Sequence, residues 1–453
     1  MTSKDTPRRR CLAVVLAAGE GKRMASRKPK VLHELAGQSM LAHVLSAIAE
    51  AGADKIAVVV GTGQEAVEAE VRRKAPDAAI FVQSAPLGTA HAVLAARTAL
   101  ADGYDDVLIA FGDTPLVRPA TFTRLRHALA ERDTAVVILG FEANDPTGYG
   151  RLVLDGDSLI AIREHKDLRE SERDIAWCNA GLMALSGKHS LKLLDSIGTS
   201  NAQGEYYLTD VVELASSLGL GARALSVAEE EVLGINDRVQ LAAAEAVLQT
   251  RLRTEAMRKG VTFVDPSSVH LSFDTELGAD VTIEPNVFFG AGVRVGAGTA
   301  IRAFCHIEGA KIGDGCIVGP FARLRPGTEL ESGVHIGNFV EVKASHLGAG
   351  VKANHLAYIG DATIGAQTNI GAGAITCNYD GFTKFRTEVG EGSFIGVNAA
   401  LVAPVKIGAG AYIGTGSVIT KDVAPDALAV ARERQVERPG WAAAFRAKHK
   451  KPR

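Results

Sequence analysis

Aromatic residues are scarce in this chain, 5 % of 453 positions, although the hydrophobic share reaches 47 %. Such a balance suits a core of small aliphatic side chains. No apolar run approaches the ~20 residues of a membrane span, and the charged N-terminus lacks a signal-peptide core, so no membrane partner is expected. The five cysteines, Cys11, Cys178, Cys305, Cys316 and Cys377, are odd in number and have no paired metal-ligand spacing. That argues against a disulfide framework and for a reducing, cytoplasmic compartment. Formal net charge is only −2, so nothing global points to nucleic acid. Basic clusters at Arg8-Arg9-Arg10 and at Lys448, Lys450, Lys451 and Arg453 both read as solvated tails.

What is abundant is a six-residue beat in the second half of the chain. Apolar residues recur at Ile283, Phe289, Val295, Ile301 and Ile307, then after a five-residue step at Ile312, Val318, Leu324, Leu330, Ile336 and Val342. Val389, Ile395, Leu401, Ile407, Ile413 and Ile419 keep the same spacing. Many beats are followed by glycine, as in Ile312-Gly313 and Ile407-Gly408, which a tight corner would need. One repeat cannot bury its apolar side chain alone, so the repeats must stack, about eight coils of three, as a parallel β-helix.

The first half alternates short apolar runs with helical patterns: Leu12 to Ala18, Ile56 to Val60, Ile80 to Gln83, Val107 to Phe111 and Ala135 to Phe141, with amphipathic stretches between them. Buried strands separated by helices predict a parallel α/β sheet, whose ligands bind beyond the carboxyl ends of the strands. At the end of the first run stands Leu16-Ala17-Ala18-Gly19-Glu20-Gly21-Lys22-Arg23-Met24, followed by Pro29-Lys30. Glycines let the backbone turn toward phosphate oxygens, and Arg23 and Lys30 supply cations for a polyphosphate. No Gly-Lys-Ser/Thr follows, so it is not a P-loop. Residues 1–237 are thus expected to form a nucleotide-binding domain, 238–260 a linker helix, 261–430 the β-helix and 431–453 a tail.

The Leu-Ala-Ala-Gly-x-Gly-x-Arg-Met stretch with Pro29-Lys30 resembles the sugar-nucleotide pyrophosphorylases. Further matches follow in order: Gln83 with Leu87 to Ala92, Phe111-Gly112-Asp113-Thr114-Pro115-Leu116, Thr147 to Arg151, Glu164-His165-Lys166, Asn179-Ala180-Gly181 and Gly234-Ile235-Asn236. Together with the hexapeptide half, residues 11 to 440 resemble the bacterial bifunctional N-acetylglucosamine-1-phosphate uridyltransferases and glucosamine-1-phosphate acetyltransferases. The resemblance implies a Rossmann-like nucleotidyltransferase domain, a left-handed winding of the β-helix and a homotrimer.

For uridylyl transfer it implies that Leu16, Ala17, Ala18, Gly19, Gln83, Gly88 and Thr89 hold the uridine of UTP. Arg23 and Lys30 would neutralise the triphosphate, and Gly150, Glu164, Asn179 and Asn236 would hold N-acetylglucosamine 1-phosphate. Asp113 with Asn236 would bind Mg²⁺. Pro86 stands where many relatives carry Gln, and proline donates no hydrogen bond.

For acetyl transfer the stretch Asn354 to Asp361, with Arg323 and Lys343 upstream, implies His355 as general base; an imidazole, with an ordinary pKa of about 6.5, suits deprotonation of an amine near neutrality. Arg323, Lys343, Tyr358, Asn369 and Lys384 are the implied contacts to glucosamine 1-phosphate. Ala372, Asn378, Tyr379, Val397, Thr415 and Arg432 are those to acetyl-CoA, with Val397 and Thr415 departing from the usual smaller or hydroxylated residues. The break in the beat at 376–386 predicts a projecting loop, which in relatives reaches a neighbouring subunit. A second reading keeps only the uridyltransferase and makes the β-helix a trimerisation scaffold.

Overall fold

The structure is a computed structural model that describes residues 8–450 apart from 20, 132, 133 and 157. Glu20 of the glycine-rich turn and Lys451 and Arg453 of the basic tail lie outside the described residues. The chain divides into two compact units, Met1–Arg251 and Leu252–Arg453.

In the first unit, strands of consecutive aliphatic residues form a sheet in the order Gly221–Ser226, Thr134–Glu142, Trp177–Ser186, Asp106–Phe111, Cys11–Leu16, Lys55–Gly61, Ala79–Gln83. Both faces are covered. Cys11, Ala13 and Val15 enter one apolar cluster and Leu12, Val14 and Leu16 the other, which is why the strand reads as an unbroken apolar run. The sheet is mixed: Trp177–Ser186 runs antiparallel to both neighbours. It follows the hairpin of Arg151–Asp155 and Ser158–Arg163, with no crossover helix before it to reverse the chain.

The expectation that Arg8-Arg9-Arg10 is a solvated tail is corrected. Arg8 pairs with Asp54 at 3.0 Å, Arg9 Nε donates to Asp106 Oδ1 at 2.9 Å, and the Arg10 guanidinium lies 4.6 Å over the Tyr104 ring. Asp106 is almost fully buried and also accepts from Arg126 Nε at 3.1 Å; a buried carboxylate needs such partners.

A single helix spans Arg238–Arg258, and the division between the units falls inside it. Leu241, Val247 and Leu248 pack with Leu35, Met40 and Leu116 of the first unit, while Leu252 and Ala256 pack on the core of the second.

The second unit is a parallel β-helix with faces of ten, eight and eight short strands, read in the left-handed sense of hexapeptide repeats. Every residue of the six-residue beat is buried in one continuous core. Register partners such as Ile283 and Ile301 stack directly, and the five-residue step is absorbed as one shortened coil that pairs Ile301 with Val318. A second buried line, two residues before each beat, holds small or β-branched residues such as Val281, Thr299, Cys305, Cys316 and Ala322. The longer excursion, with Ile370 paired to Ile395, extrudes the loop at 378–386. The tail helix Trp441–His449 is exposed along its length.

Candidate active sites

Beyond the carboxyl ends of the central strands lies a cavity of about 320 Å³. Leu16, Ala17, Ala18, Gly19, Lys30, Gln83, Gly88 and Thr89 all line it, together with Val31, Pro86, Ala92, Phe111, Asp113 and Glu205. Gly88, at φ +117, is required: a Cβ there would stand 2.5 Å from Tyr206 O. The backbone of Tyr206 clamps the turn, donating to Leu87 O at 2.9 Å and accepting from Ala90 N at 3.0 Å.

Lys30 Nζ is the cation of this cavity. It bonds the Asp113 carboxylate and lies 3.1 Å from Asn236 Oδ1, bringing together three residues widely separated in sequence. Gly21 makes room for it, since a Cβ there would lie 2.5 Å from Lys30 Cβ. Arg23 is exposed and has no hydrogen bond or ion pair among the described residues. Gly150, Glu164 and Asn179 form a separate group: Asn179 N donates to Gly150 O at 2.8 Å, and a Cβ on Gly150 would touch the Glu164 carboxylate at 3.4 Å. Glu164 accepts from the Thr209 hydroxyl at 3.1 Å, and burial pushes its pKa above the ordinary carboxylate value.

In the β-helix, His355 ends the strand Lys352–His355, and Tyr358–Gly360 opens the strand of the next face. The turn between them carries Leu356 at φ 51. His355 Nδ1 lies 2.9 Å from Asn338 Oδ1, its register partner on the preceding coil. An amide oxygen only accepts, so with Asn338 in this orientation the ring proton is on Nδ1 and the lone pair on Nε2. Lys343 lies 3.7 Å from Asp361, and the approach of the Lys343 ammonium holds Lys384 below its ordinary pKa. Two cations therefore converge, as an anionic ligand would require. Arg323 and Arg325 both reach Glu341, at 3.6 and 2.9 Å. Asn369 stands on the same face as Lys352, its register partner.

The remaining expected residues separate into two groups. Ala372, Val397 and Thr415 follow one another on successive coils, linked by Asn398 N to Ala372 O and Gly416 N to Val397 O, both at 2.8 Å. Arg432 extends the line by donating to Thr415 O at 2.9 Å. Asn378 is elsewhere: its amide bonds Asp361 and Tyr358 Oη, the latter at 3.4 Å, on the Lys343 side. Tyr379 is exposed and donates only to Gly381 O within its own loop. Within the chain, Asn378 and Lys384 thus lie on the Lys343 side of the β-helix. His346 faces Glu329 and Glu331 on another face, apart from His355.

Residues 13–175 match the MobA-like NTP transferase domain, and residues 309–344 and 386–421 match the bacterial transferase hexapeptide, six repeats. The chain is 61 % identical over 445 residues to the bifunctional protein GlmU of Xanthobacter autotrophicus, which spans 98 % of this chain and 99 % of that protein. The chain belongs to the bifunctional GlmU family. Identity is 59 % to GlmU of Azorhizobium caulinodans over 445 residues, with the same coverage, and 53 % to GlmU of Agrobacterium fabrum over 442 residues, 98 % of this chain and 97 % of that protein. A GlmU protein is a transferase with two catalytic halves, and both candidate sites fall within the aligned length.

Sequence reasoning missed several residues of these sites. Asn338 is a lone asparagine until the register pairs it with His355. Glu205 and Tyr206 reach the cavity from a loop with no motif. Asp361 was quoted only as the end of a motif, yet it joins Lys343 and Asn378. Cys11 and Cys305 take no part: burial pushes Cys11 up to about 12 and Cys305 up to about 11, so neither is a thiolate near neutrality.

Proposed function

We propose that the chain makes UDP-N-acetylglucosamine in two steps, acetylating glucosamine 1-phosphate and then joining the product to UTP. In the β-helix, the 2-amino nitrogen of glucosamine 1-phosphate attacks the thioester carbonyl of acetyl-CoA. The C–N bond forms, the C–S bond breaks to release CoA as a thiolate, and the amine proton passes to His355 Nε2 and from there to the departing sulfur. Lys343 and Lys384 hold the sugar phosphate, with Arg323, Tyr358 and Asn369 as further contacts. The line Ala372, Val397, Thr415 and Arg432 supports the coenzyme, and Arg432 suits its phosphates.

In the first unit, a phosphate oxygen of N-acetylglucosamine 1-phosphate attacks the α-phosphorus of UTP and pyrophosphate leaves. Both partners are anions, so positioning and charge neutralisation carry the rate. Lys30 and Arg23 supply positive charge, the 320 Å³ cavity takes the uridine, and Gly150, Glu164 and Asn179 take the amino sugar. Asp113 and Asn236 offer hard oxygen donors converging on one cation position, now taken by the Lys30 ammonium, which fits Mg²⁺. No group of three or more His, Cys, Asp or Glu side chains fit to hold a metal occurs among the described residues, so phosphates and water would complete its shell. When bound, the ion would neutralise charge on the triphosphate.

The observation that carries this reading is the meeting of eight expected nucleotide contacts on one cavity wall. Its test is pyrophosphate release from UTP, expected only with N-acetylglucosamine 1-phosphate and a divalent ion present; purified protein that releases none rules it out. The same assay on a chain ending at Arg251 tests whether the first site works alone.

A cytoplasmic setting suits these substrates and five unpaired cysteines; no helix among the described residues is long and apolar enough to cross a membrane. A homotrimer is favoured by one exposed corner of the β-helix, where Phe304, Phe321 and Phe339 stack at 4.9 and 5.2 Å with positive φ. Bulky residues rarely hold that conformation in the absence of a compensating contact. Light scattering that found only monomer at micromolar concentration would reject the trimer.

A further inference from the structure

We propose that His91 sharpens which nucleobase the cavity accepts, by holding the side-chain amide of Gln83 jointly with the long contact to the Gly88 carbonyl. The inference rests on the reading of this cavity as a nucleoside triphosphate site. Gln83 ends the strand Ala79–Gln83 and lines the cavity. Its Nε2 faces two acceptors, the Gly88 carbonyl oxygen at 3.3 Å and His91 Nδ1 at 3.2 Å. A carbonyl has no proton to give, so the atom beside it is the amino group, and the amide cannot be turned over without two lone pairs facing each other. His91 Nδ1 therefore carries a lone pair, and its ring proton is on Nε2.

With the amino group committed, Oε1 is what Gln83 presents to a ligand; it makes no hydrogen bond among the described residues. An acceptor there matches the N3–H of uracil. Cytosine, whose N3 is a lone pair, would meet it lone pair to lone pair. Pro86, which also lines the cavity, has no donor to offer a base. His91 is itself held on the helix Thr89–Ala95, with its ring 6.4 Å from that of Tyr206. It acts through Gln83, as a positioning residue.

The test is kcat/KM of the full chain with UTP, 5-methyl-UTP and CTP, for wild type, His91→Leu and His91→Asn. Leucine removes the acceptor at similar volume, so the UTP-to-CTP ratio is expected to fall by about tenfold. Asparagine, which can still accept, is expected to restore it, and 5-methyl-UTP, which keeps N3–H, should follow UTP in every variant. The KM for N-acetylglucosamine 1-phosphate should not move. An unchanged UTP-to-CTP ratio in His91→Leu overturns the proposal, and His91→Met serves the same comparison should leucine disturb the helix. Wild-type protein that turns over no nucleotide sinks the underlying reading instead.

Discussion

Lys30 and Asp113 form an ion pair at the mouth of the nucleotide cavity, with the Lys30 side chain 12 % and the Asp113 side chain 20 % exposed. The ammonium also meets Asn236 Oδ1 at 3.1 Å, so it stands where the two oxygen donors would hold a divalent ion. Removing it should leave Asp113 uncompensated and open to a metal. Lys30→Met is expected to bind Mn²⁺ about tenfold more tightly than wild type without nucleotide, read by electron paramagnetic resonance, while uridylyl transfer falls by about 100-fold. Equal or weaker metal binding in the variant would show that the lysine does not compete for the site.

Asn338 holds the His355 ring through Nδ1. Asn338→Ala frees the ring to rotate and to move its proton to Nε2, which removes the base. The kcat of acetyl transfer should fall by about 10- to 100-fold with little change in the KM for acetyl-CoA, and Asn338→Asp should recover part of the loss. A variant changed in KM alone would mean that Asn338 contacts substrate instead.

Burial, with Glu213 and Glu164 nearby, pushes the Asp210 carboxyl from 3.8 up to about 6. The folded chain then holds this proton more tightly than the unfolded chain. Its contribution to stability is present below about pH 4 and is lost as pH rises through about 6. Asp210→Asn should therefore gain stability relative to wild type across that window and stay level above it. Thermal denaturation of both proteins against pH gives the difference, and a flat difference would contradict the assignment.

Gly88 has φ 117 and ψ 174, a region open essentially to glycine alone, and a Cβ there would collide with Tyr206 O at 2.5 Å. Gly88→Ala should cost at least about 2 kcal/mol in the first unit and abolish uridylyl transfer, leaving acetyl transfer intact. Loss of both activities in a folded variant would show that the two sites are not independent.

The repeat half was legible because every coil imposes the same demand, so Ile283, Ile301 and Val318 announce the core by spacing alone. Its second buried line was equally available: Thr299, Cys305 and Cys316 each stand two residues before a beat, but small residues attract less notice than aliphatic ones. The strands that the helical alternation marks were found, whereas Trp177–Ser186 was not, because its direction is set by pairing with Asp106–Phe111 and Thr134–Glu142. Arg9 was misread for a related reason. A charge run looks solvated in one dimension, and its buried partner Asp106 lies 97 positions away. The cavity wall was legible where glycines and Lys30 carry a motif, and hidden where Glu205 and Tyr206 arrive by tertiary contact alone.

The most direct test of the account is release of CoA thiol from acetyl-CoA by the full chain, with and without glucosamine 1-phosphate, comparing wild type with His355→Ala. The account predicts amine-dependent release that falls by about 100-fold or more in the variant, with uridylyl transfer unaffected. Folded wild-type protein that transfers uridylyl groups but releases no thiol would contradict it, leaving the β-helix as a scaffold for a single activity.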